Sequence, residues 1–422
     1  MPSAAPQTSQ VIRPQFGRAR SPQPIPATGE RNGVLIVAPS LEGGASDAGA
    51  VELVRILAGA GYRPVVVSKP GRLVTDITAA GGEFVPLDVG SRNPIAMARN
   101  VSALKRLVVE KQCAVVHALG RSAGWSALFA ARLARTPLIT SWYKGFREQN
   151  NFKRVYNRVM ARGDRVIAVS DQLAQLVHDR YQTDWNRIAV VPLSVDVDAF
   201  NPAAVSRERV VAMQDAWGIA PDTKVILVTG RILRRKGHHV AVRAAQKLKQ
   251  RGLTNFMVVF VGEDRGRSRY TGELWDLVLT TGTVDVVRMA APVRDMAAAY
   301  AAASVVVSAA IQPEGLQRAL LEAQAMARPL VVSEHAAGPD VVLTPPAVPD
   351  DRITGLRCAA DDDGALAATL LRLFATPEPI RRAMGQRGRA WVLEHFNADA
   401  VAARTLQVYA DVIGENRAAV SR

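Results

Sequence analysis

Cysteine is nearly missing from this chain: Cys113 and Cys358 are the only two among 422 residues. Two thiols cannot build a disulfide framework, and neither lies in a C-x-x-C pair. A disulfide-stapled secreted fold and a thiolate metal site are therefore excluded, and a reducing compartment is expected. Aromatic residues are also scarce, at 5%. With no zinc-finger spacing, RNP motif or long basic amphipathic helix, a nucleic-acid partner is not expected. Long apolar runs are absent too. The stretch 296–311 is mostly alanine and serine, is shorter than a bilayer requires, and reads as a helix end running into a strand. The first residues, Met1 to Pro6, carry no apolar signal core, so a cytoplasmic protein is expected.

Acidic residues are the next shortage. Lys and Arg number 53 against 38 Asp and Glu, a formal charge of +15. Such an excess suits an anionic membrane surface, an anionic small ligand such as a nucleoside diphosphate, or a generally basic solvated surface. Apolar residues at 48% and charged residues at 22% are otherwise ordinary for a globular protein.

Residues 1–31 hold six prolines and few large apolar side chains, which predicts a disordered basic tail. An alternation then begins. Val34-Leu35-Ile36-Val37 reads as a buried strand, Gly43-Gly44 as a turn, and 47–60 as a helix. Strand-like runs recur at 64–67, 84–87, 114–116, 138–140, 165–169 and 188–191. Helical patterns separate several of them. The pattern pauses around 200–220, where Asn201-Pro202 and Ala220-Pro221-Asp222 carry turn chemistry. A second alternation follows, with strands at 224–229, 256–261, 285–289, 305–307 and 329–332, and a helical end over 380–413. Alternating strands and helices predict an α/β fold of two doubly wound parallel-sheet, Rossmann-like domains. Ligands bind such sheets outside the carboxyl ends of the strands.

Two loops there carry chemistry. After the strand 224–229 comes Gly230-Arg231 and then Arg234-Arg235-Lys236-Gly237, leading into a helix. Arg231 and Lys236 offer a planar fork and a point charge beside a helix N-terminus, a setting for a diphosphate. The alternative is a solvated basic loop. The P-loop pattern is absent. After the strand 305–307 comes Pro313-Glu314-Gly315-Leu316-Gln317, with Glu322 beyond. On one helix Glu314 and Glu322 would lie roughly 12 Å apart along the axis, and the N–H groups of Gly315, Leu316 and Gln317 would be free to meet a phosphate. Carboxylates accept paired hydroxyls well. The alternative is a capping carboxylate and an ordinary helix-face glutamate.

Together, Gly230-Arg231…Lys236-Gly237 and Pro313-Glu314…Glu322-Ala323 resemble the retaining glycosyltransferases of family 4, which have the GT-B fold, with two domains facing across a cleft. Further pieces agree: 163–170, Val190-Val191-Pro192, Val195-Asp196, Phe200-Asn201-Pro202, Val261-Gly262 and Thr354-Gly355. The likeness covers residues 33–415 and is strongest toward the lipopolysaccharide and surface-polysaccharide branch. It implies an acceptor-side domain over 32–205, a donor-binding domain over 206–395, and a final helix, 396–422, returning to the first domain. It also implies that Arg231 and Lys236 bind the donor diphosphate, Glu314 the donor-sugar hydroxyls and Glu322 the ribose. His117 would stand near the transferred sugar, and Gly43-Gly44 would let the donor approach. A nucleotide-sugar donor, a glycan or glycolipid acceptor, peripheral contact with anionic membrane and no essential metal are implied as well.

The chain departs from the family pattern at Leu193-Ser194, Leu316-Gln317, Tyr143-Lys144-Gly145 and Ala336-Ala337. Those changes motivate one rival, a non-catalytic sugar-nucleotide-binding or scaffold protein. Nucleotide-sugar epimerisation is a second. Asp196-Val197-Asp198 imitates a metal-binding D-x-D but falls at a structural turn, and Asp361-Asp362-Asp363 reads as a polar loop with a helix cap.

Overall fold

The computed structural model describes residues 31–91, 93–146, 150–264, 266 and 268–420. Apart from Arg31, the tail expected over 1–31 lies outside the described residues.

The chain forms two compact units. The first contains a seven-stranded sheet: β1 (Gly33–Val37), β2 (Arg63–Ser68), β3 (Glu83–Pro86), β4 (Cys113–Ala118), β5 (Leu138–Trp142), β6 (Arg165–Ala168) and β7 (Ile188–Val190). The strands lie in the order β3-β2-β1-β4-β5-β6-β7, all parallel. The second contains six: β8 (Lys224–Thr229), β9 (Phe256–Val261), β10 (Val287–Ala290), β11 (Val305–Ser308), β12 (Leu330–Ser333) and β13 (Gly355–Cys358). Their order is β10-β9-β8-β11-β12-β13, again all parallel. Sheets covered on both faces need strands apolar on both sides, which is why β1 and β9 read as unbroken aliphatic runs and are buried along their whole length.

The first unit takes residues from three parts of the chain: up to Ser194, then Pro313–Leu316, then from His395 onward. Its last helix, Ala398–Val420, packs on the helix Ala45–Gly59 and on β4. There Val401, Val408, Tyr409 and Val412 join Val34, Ile36 and Leu53 in one apolar cluster. Tyr409 is fully buried; burying such a ring contributes about 2 kcal/mol.

The second unit begins at Val195. Phe200 meets Tyr300 edge-on, with ring centroids 5.9 Å apart, and its carbonyl accepts from Arg389 at 3.2 Å. These contacts tie the connecting segment to the second unit. Where the sequence pattern pauses, the structure has a helix, Arg207–Trp217. Ser206 caps it, accepting from the Arg209 N–H at 3.4 Å.

The helical end expected over 380–413 is two helices, Glu378–His395 and Ala398–Val420. The break falls at Asn397, whose side chain accepts from the Ala400 N–H at 2.7 Å and so starts the second helix. Asp362 caps the helix Asp363–Ala375 through the Ala365 N–H at 2.8 Å. Asp196 makes a local turn, accepting from the N–H groups of Asp198 and Ala199 at 3.1 and 2.9 Å. Among the described residues no helix is long and apolar enough to cross a membrane.

Candidate functional site

Strand order reverses once in each sheet, between β1 and β4 and between β8 and β11. At such a point the two outgoing loops part and leave a crevice at the carboxyl edge. The two chemistry-bearing loops follow β8 and β11, the strands of the second sheet's switch point.

The loop after β8 is built to hold its shape. Gly237 has a φ of 73°, and a Cβ there would lie 1.8 Å from the Ala309 carbonyl oxygen. Only glycine fits, because the loop after β11 presses directly on it. The Ile311 N–H donates to the Arg235 carbonyl at 2.9 Å, and the Ile232 N–H donates to Glu263 at 3.1 Å. Between these pins Arg234–Lys236 makes one 3-10 turn, and the helix His238–Gln250 starts at once. His238 is buried in the first turn, and burial lowers its pKa to about 4. It is neutral at physiological pH, so the cations at this end are Lys and Arg.

Lys236 donates through Nζ to Oε1 of Gln317 at 2.7 Å. The Gln317 amide nitrogen donates to the Ser308 hydroxyl and to the Ala336 carbonyl, both at 2.9 Å. Two departures from the family pattern, Leu316-Gln317 and Ala336-Ala337, therefore touch. The glutamine also aims the Lys236 ammonium without neutralising it through this bond. Arg231 lies exposed at the start of the same loop. Arg234 turns elsewhere: it pairs with Glu273 and sits 5.0 Å over the Tyr270 ring.

The loop after β11 corrects one expectation. The helix starts at Arg318, not at Glu314, with Gln317 as its N-cap residue. The chain turns at Gly315, where φ is 75°. Glu314 and Glu322 therefore do not share a helix, and the axial spacing read from the sequence does not apply. The N–H groups of Gly315, Leu316 and Gln317 precede the first turn rather than forming its end. Glu314 is buried, and Pro313–Leu316 groups with the first unit.

Glu322 lies in the helix Arg318–Ala325 and accepts from the Tyr300 hydroxyl at 2.8 Å. Burial holds its carboxyl above the usual range, while the Tyr300 bond and the Arg318 charge pull the other way.

The first unit's glycine loop differs. Gly43 has a φ of 102°. The N–H groups of Glu42, Gly43 and Gly44 all donate to one oxygen of Asp47, at 3.0, 3.1 and 3.0 Å. The Ser46 hydroxyl donates to the other at 3.0 Å. This nest of amides is an anion cradle filled by the chain's own carboxylate. Gly43-Gly44, expected to receive the donor, thus has these amides already committed. Sequence reasoning missed Asp47; its place three residues after Gly44 is the spacing of a capping box.

His117, expected beside the transferred sugar, sits within β4 at 1% exposure. One ring nitrogen lies 2.6 Å from the Tyr409 hydroxyl and the other 2.7 Å from Ser141. It borders a cavity of about 40 Å³ with Glu52, Ser141, Tyr143 and Thr405. Burial lowers the His117 pKa to about 3. A depressed imidazole pKa contributes stability that is full above the ordinary range near 6.5 and is lost as pH falls toward 3.

A larger cavity, about 240 Å³, lies at the carboxyl ends of the first sheet. Pro39, Gly120, Arg121, Tyr143 and Lys144 are among its walls.

The comparisons agree with this anatomy. A family model described as Glycosyltransferase Family 4 matches residues 48–199, and one described as Glycosyl transferases group 1 matches residues 223–376. The chain is 30% identical to a D-inositol 3-phosphate glycosyltransferase of Xylanimonas cellulosilytica, over 92% of this chain and 94% of that protein. It is 29% identical to an MMP alpha-(1->4)-mannosyltransferase of Mycolicibacterium hassiacum, over 67% of this chain and 61% of that one. Among solved structures, a glycosyltransferase from Rickettsia africae superposes with a TM-score of 0.80 at 22% identity, covering 91% of this chain and 99% of that one. Anabaena HepE, solved with UDP and glucose, superposes with a TM-score of 0.73 at 17% identity, covering 90% and 99%. The fold is that of the GT-B glycosyltransferases, and the chain belongs to glycosyltransferase family 4.

Proposed function

We propose that the protein transfers a hexose-type sugar, with retention at the anomeric carbon, from a nucleoside-diphosphate donor to a hydroxyl of a glycan or lipid-linked acceptor. The observation that carries this reading is the second unit's switch point, where the Lys236 ammonium is aimed by Gln317 at 2.7 Å on the loop that begins with Arg231. Arg231 and Lys236 hold the diphosphate, Glu322 accepts the ribose hydroxyls, and Glu314 holds hydroxyls of the donor sugar. As the bond between the anomeric carbon and the phosphate oxygen breaks, negative charge grows on the leaving diphosphate. In this reading the two cations stabilise it. The acceptor oxygen bonds to the same face of the anomeric carbon, and its proton passes to the leaving phosphate oxygen. The HepE structures with UDP-glucose and with UDP support a donor of this class.

Two acceptor classes compete within this reading. The sequence resemblance favours surface-polysaccharide or lipopolysaccharide synthesis. The relatives named D-inositol 3-phosphate glycosyltransferase favour a small phosphorylated polyol. The cavity with Arg121 and Lys144 in its wall suits an anionic group in either case.

Thermal-shift screening against UDP, GDP, ADP and CMP tests the donor site. One diphosphate is expected to stabilise the protein, and Arg231→Ala/Lys236→Ala is expected to abolish that shift. A transfer assay with the matching sugar follows. Binding without turnover on any acceptor class would favour the scaffold reading, and no shift at all would remove the donor site.

A further inference from the structure

The cavity at the carboxyl ends of the first sheet does not stand alone. A second cavity, of about 480 Å³, opens beside it, lined by Arg121, Trp125, Asn150, Phe152 and Lys153 among others. The two cavities share Arg121, Ser122 and Tyr156 in their walls. The second takes its walls from the helices Pro94–Glu110, Arg121–Leu133 and Asn151–Asn157. These helices lie in the connections β3 to β4, β4 to β5 and β5 to β6. All three connections run in the same direction across the sheet, so right-handed crossovers put them on one face. The whole cavity lies within the first unit.

Its walls combine three chemistries. Trp125 is half-buried and held in place: its indole N–H donates to the Tyr156 carbonyl at 3.1 Å, and Phe129 stacks beside it with ring centroids 6.2 Å apart. Phe152 is 79% exposed, an aromatic ring that core packing does not account for. Hydrogen-bonding groups stand among the rings. Asn150 commits its side-chain oxygen to the Lys153 N–H at 2.9 Å, so its NH2 is the end that can donate, and Ser122 offers a hydroxyl. Two cations complete the wall. The Arg121 guanidinium lies 5.8 and 5.9 Å from the Trp142 and Phe146 ring centroids, which seats it where the two cavities meet. Lys153 is exposed.

An alkyl chain would leave the polar groups unmatched, and a bare anion would leave the rings uncovered. A pyranose answers both, with an apolar C–H face for an aromatic ring and hydroxyls around its edge. A carboxylate or phosphate on that ring answers the cations. We propose that this cavity is an acceptor subsite for an anionic sugar unit, its ring on Trp125 and Phe152 and its charge on Arg121 and Lys153. The assignment rests on sugar transfer being the protein's activity, and it chooses between the two acceptor classes. The reacting sugar takes the 240 Å³ cavity and its neighbour the 480 Å³ cavity. The acceptor is then an acidic oligosaccharide of two rings or more, because a small phosphorylated polyol fills only one of the two spaces.

Calorimetric titration of the full chain without donor tests the subsite independently of transfer. Digalacturonate presents the anion as a carboxylate and maltose 1-phosphate presents it as a phosphate; the tighter of the two identifies the acid. At least one is expected to bind about tenfold or more tighter than neutral cellobiose. Trp125→Leu, Phe152→Ala and Lys153→Glu should each weaken that binding by about tenfold. Arg231→Ala/Lys236→Ala should bind the acidic disaccharide like the unaltered protein. A retained melting temperature and nucleotide-induced shift report that each cavity variant is folded with its donor site intact, so a failure here is distinct from a failure of the donor site. Binding of neither acidic disaccharide overturns the proposal, as does binding that survives both Trp125→Leu and Lys153→Glu unchanged. So does displacement of the disaccharide by UDP, or binding of myo-inositol 1-phosphate that matches it and is weakened equally by Phe152→Ala.

Discussion

The two units carry the same kind of loop at the same topological place, and the loops have opposite electrostatics. After β1, three amides converge on an anion the chain supplies itself, the Asp47 carboxylate. After β8, the chain presents Arg231 and Lys236, and Lys236 meets a neutral amide, Gln317, at 2.7 Å. The same switch-point topology therefore carries two different side-chain arrangements, one acidic and one basic. One side chain, three residues past a glycine pair, makes the first loop self-sufficient.

The strongest way to break this contrast is to remove the cations from the second loop. Arg231→Ala/Lys236→Ala is expected to lower transfer by about 10³-fold or more and to abolish the thermal shift with a nucleoside diphosphate. The melting temperature without nucleotide should stay nearly unchanged, since Arg231 is exposed and Lys236 partly so. Glu314→Gln should come next, with kcat reduced by about 10²-fold and donor affinity largely kept, as for a contact made chiefly in the transition state.

Emptying the first loop is the reciprocal test. Asp47→Ala leaves three loop amides without their acceptor and should cost about 2–3 kcal/mol of stability in chemical denaturation. Added phosphate should stabilise the variant more than the unaltered protein, by binding the opened cradle as well as the loop after β8. Equal stabilisation of the two would show that the nest serves only to shape the loop. The smallest effect is expected from Tyr300→Phe. The Tyr300 bond lowers a Glu322 pKa that burial raises. Without that bond the carboxyl titrates higher, and the loss of donor affinity on acidification should begin at a higher pH. The unionised acid accepts ribose hydroxyls poorly, so affinity falls with pH in both proteins and only the midpoint moves.

The fold was legible because buried parallel strands must be aliphatic. β13 escaped because Gly355-Leu356-Arg357-Cys358 holds one large aliphatic residue. The helix Arg207–Trp217 escaped because only Trp217 of its residues is buried, so no apolar stripe marks it. Arg231 and Lys236 could be read from the local sequence because a strand, a glycine-flanked loop and a helix follow in order. Glu314 was displaced from its expected helix by the left-handed turn at Gly315, which two adjacent residue types do not announce. His117 could not be placed locally at all. Its environment depends on Tyr409, 292 residues further along the chain.

That last contact bears on how the protein is made. The first unit's apolar cluster closes only when Val401, Val408, Tyr409 and Val412 arrive, and the whole second unit is synthesised in between. On the ribosome, the later unit can finish its core first, while the earlier one waits with an open groove beside β4. A stop codon within the last helix would thus unmake the half of the molecule translated first, and a fragment ending near residue 194 would lack the helix that seals it.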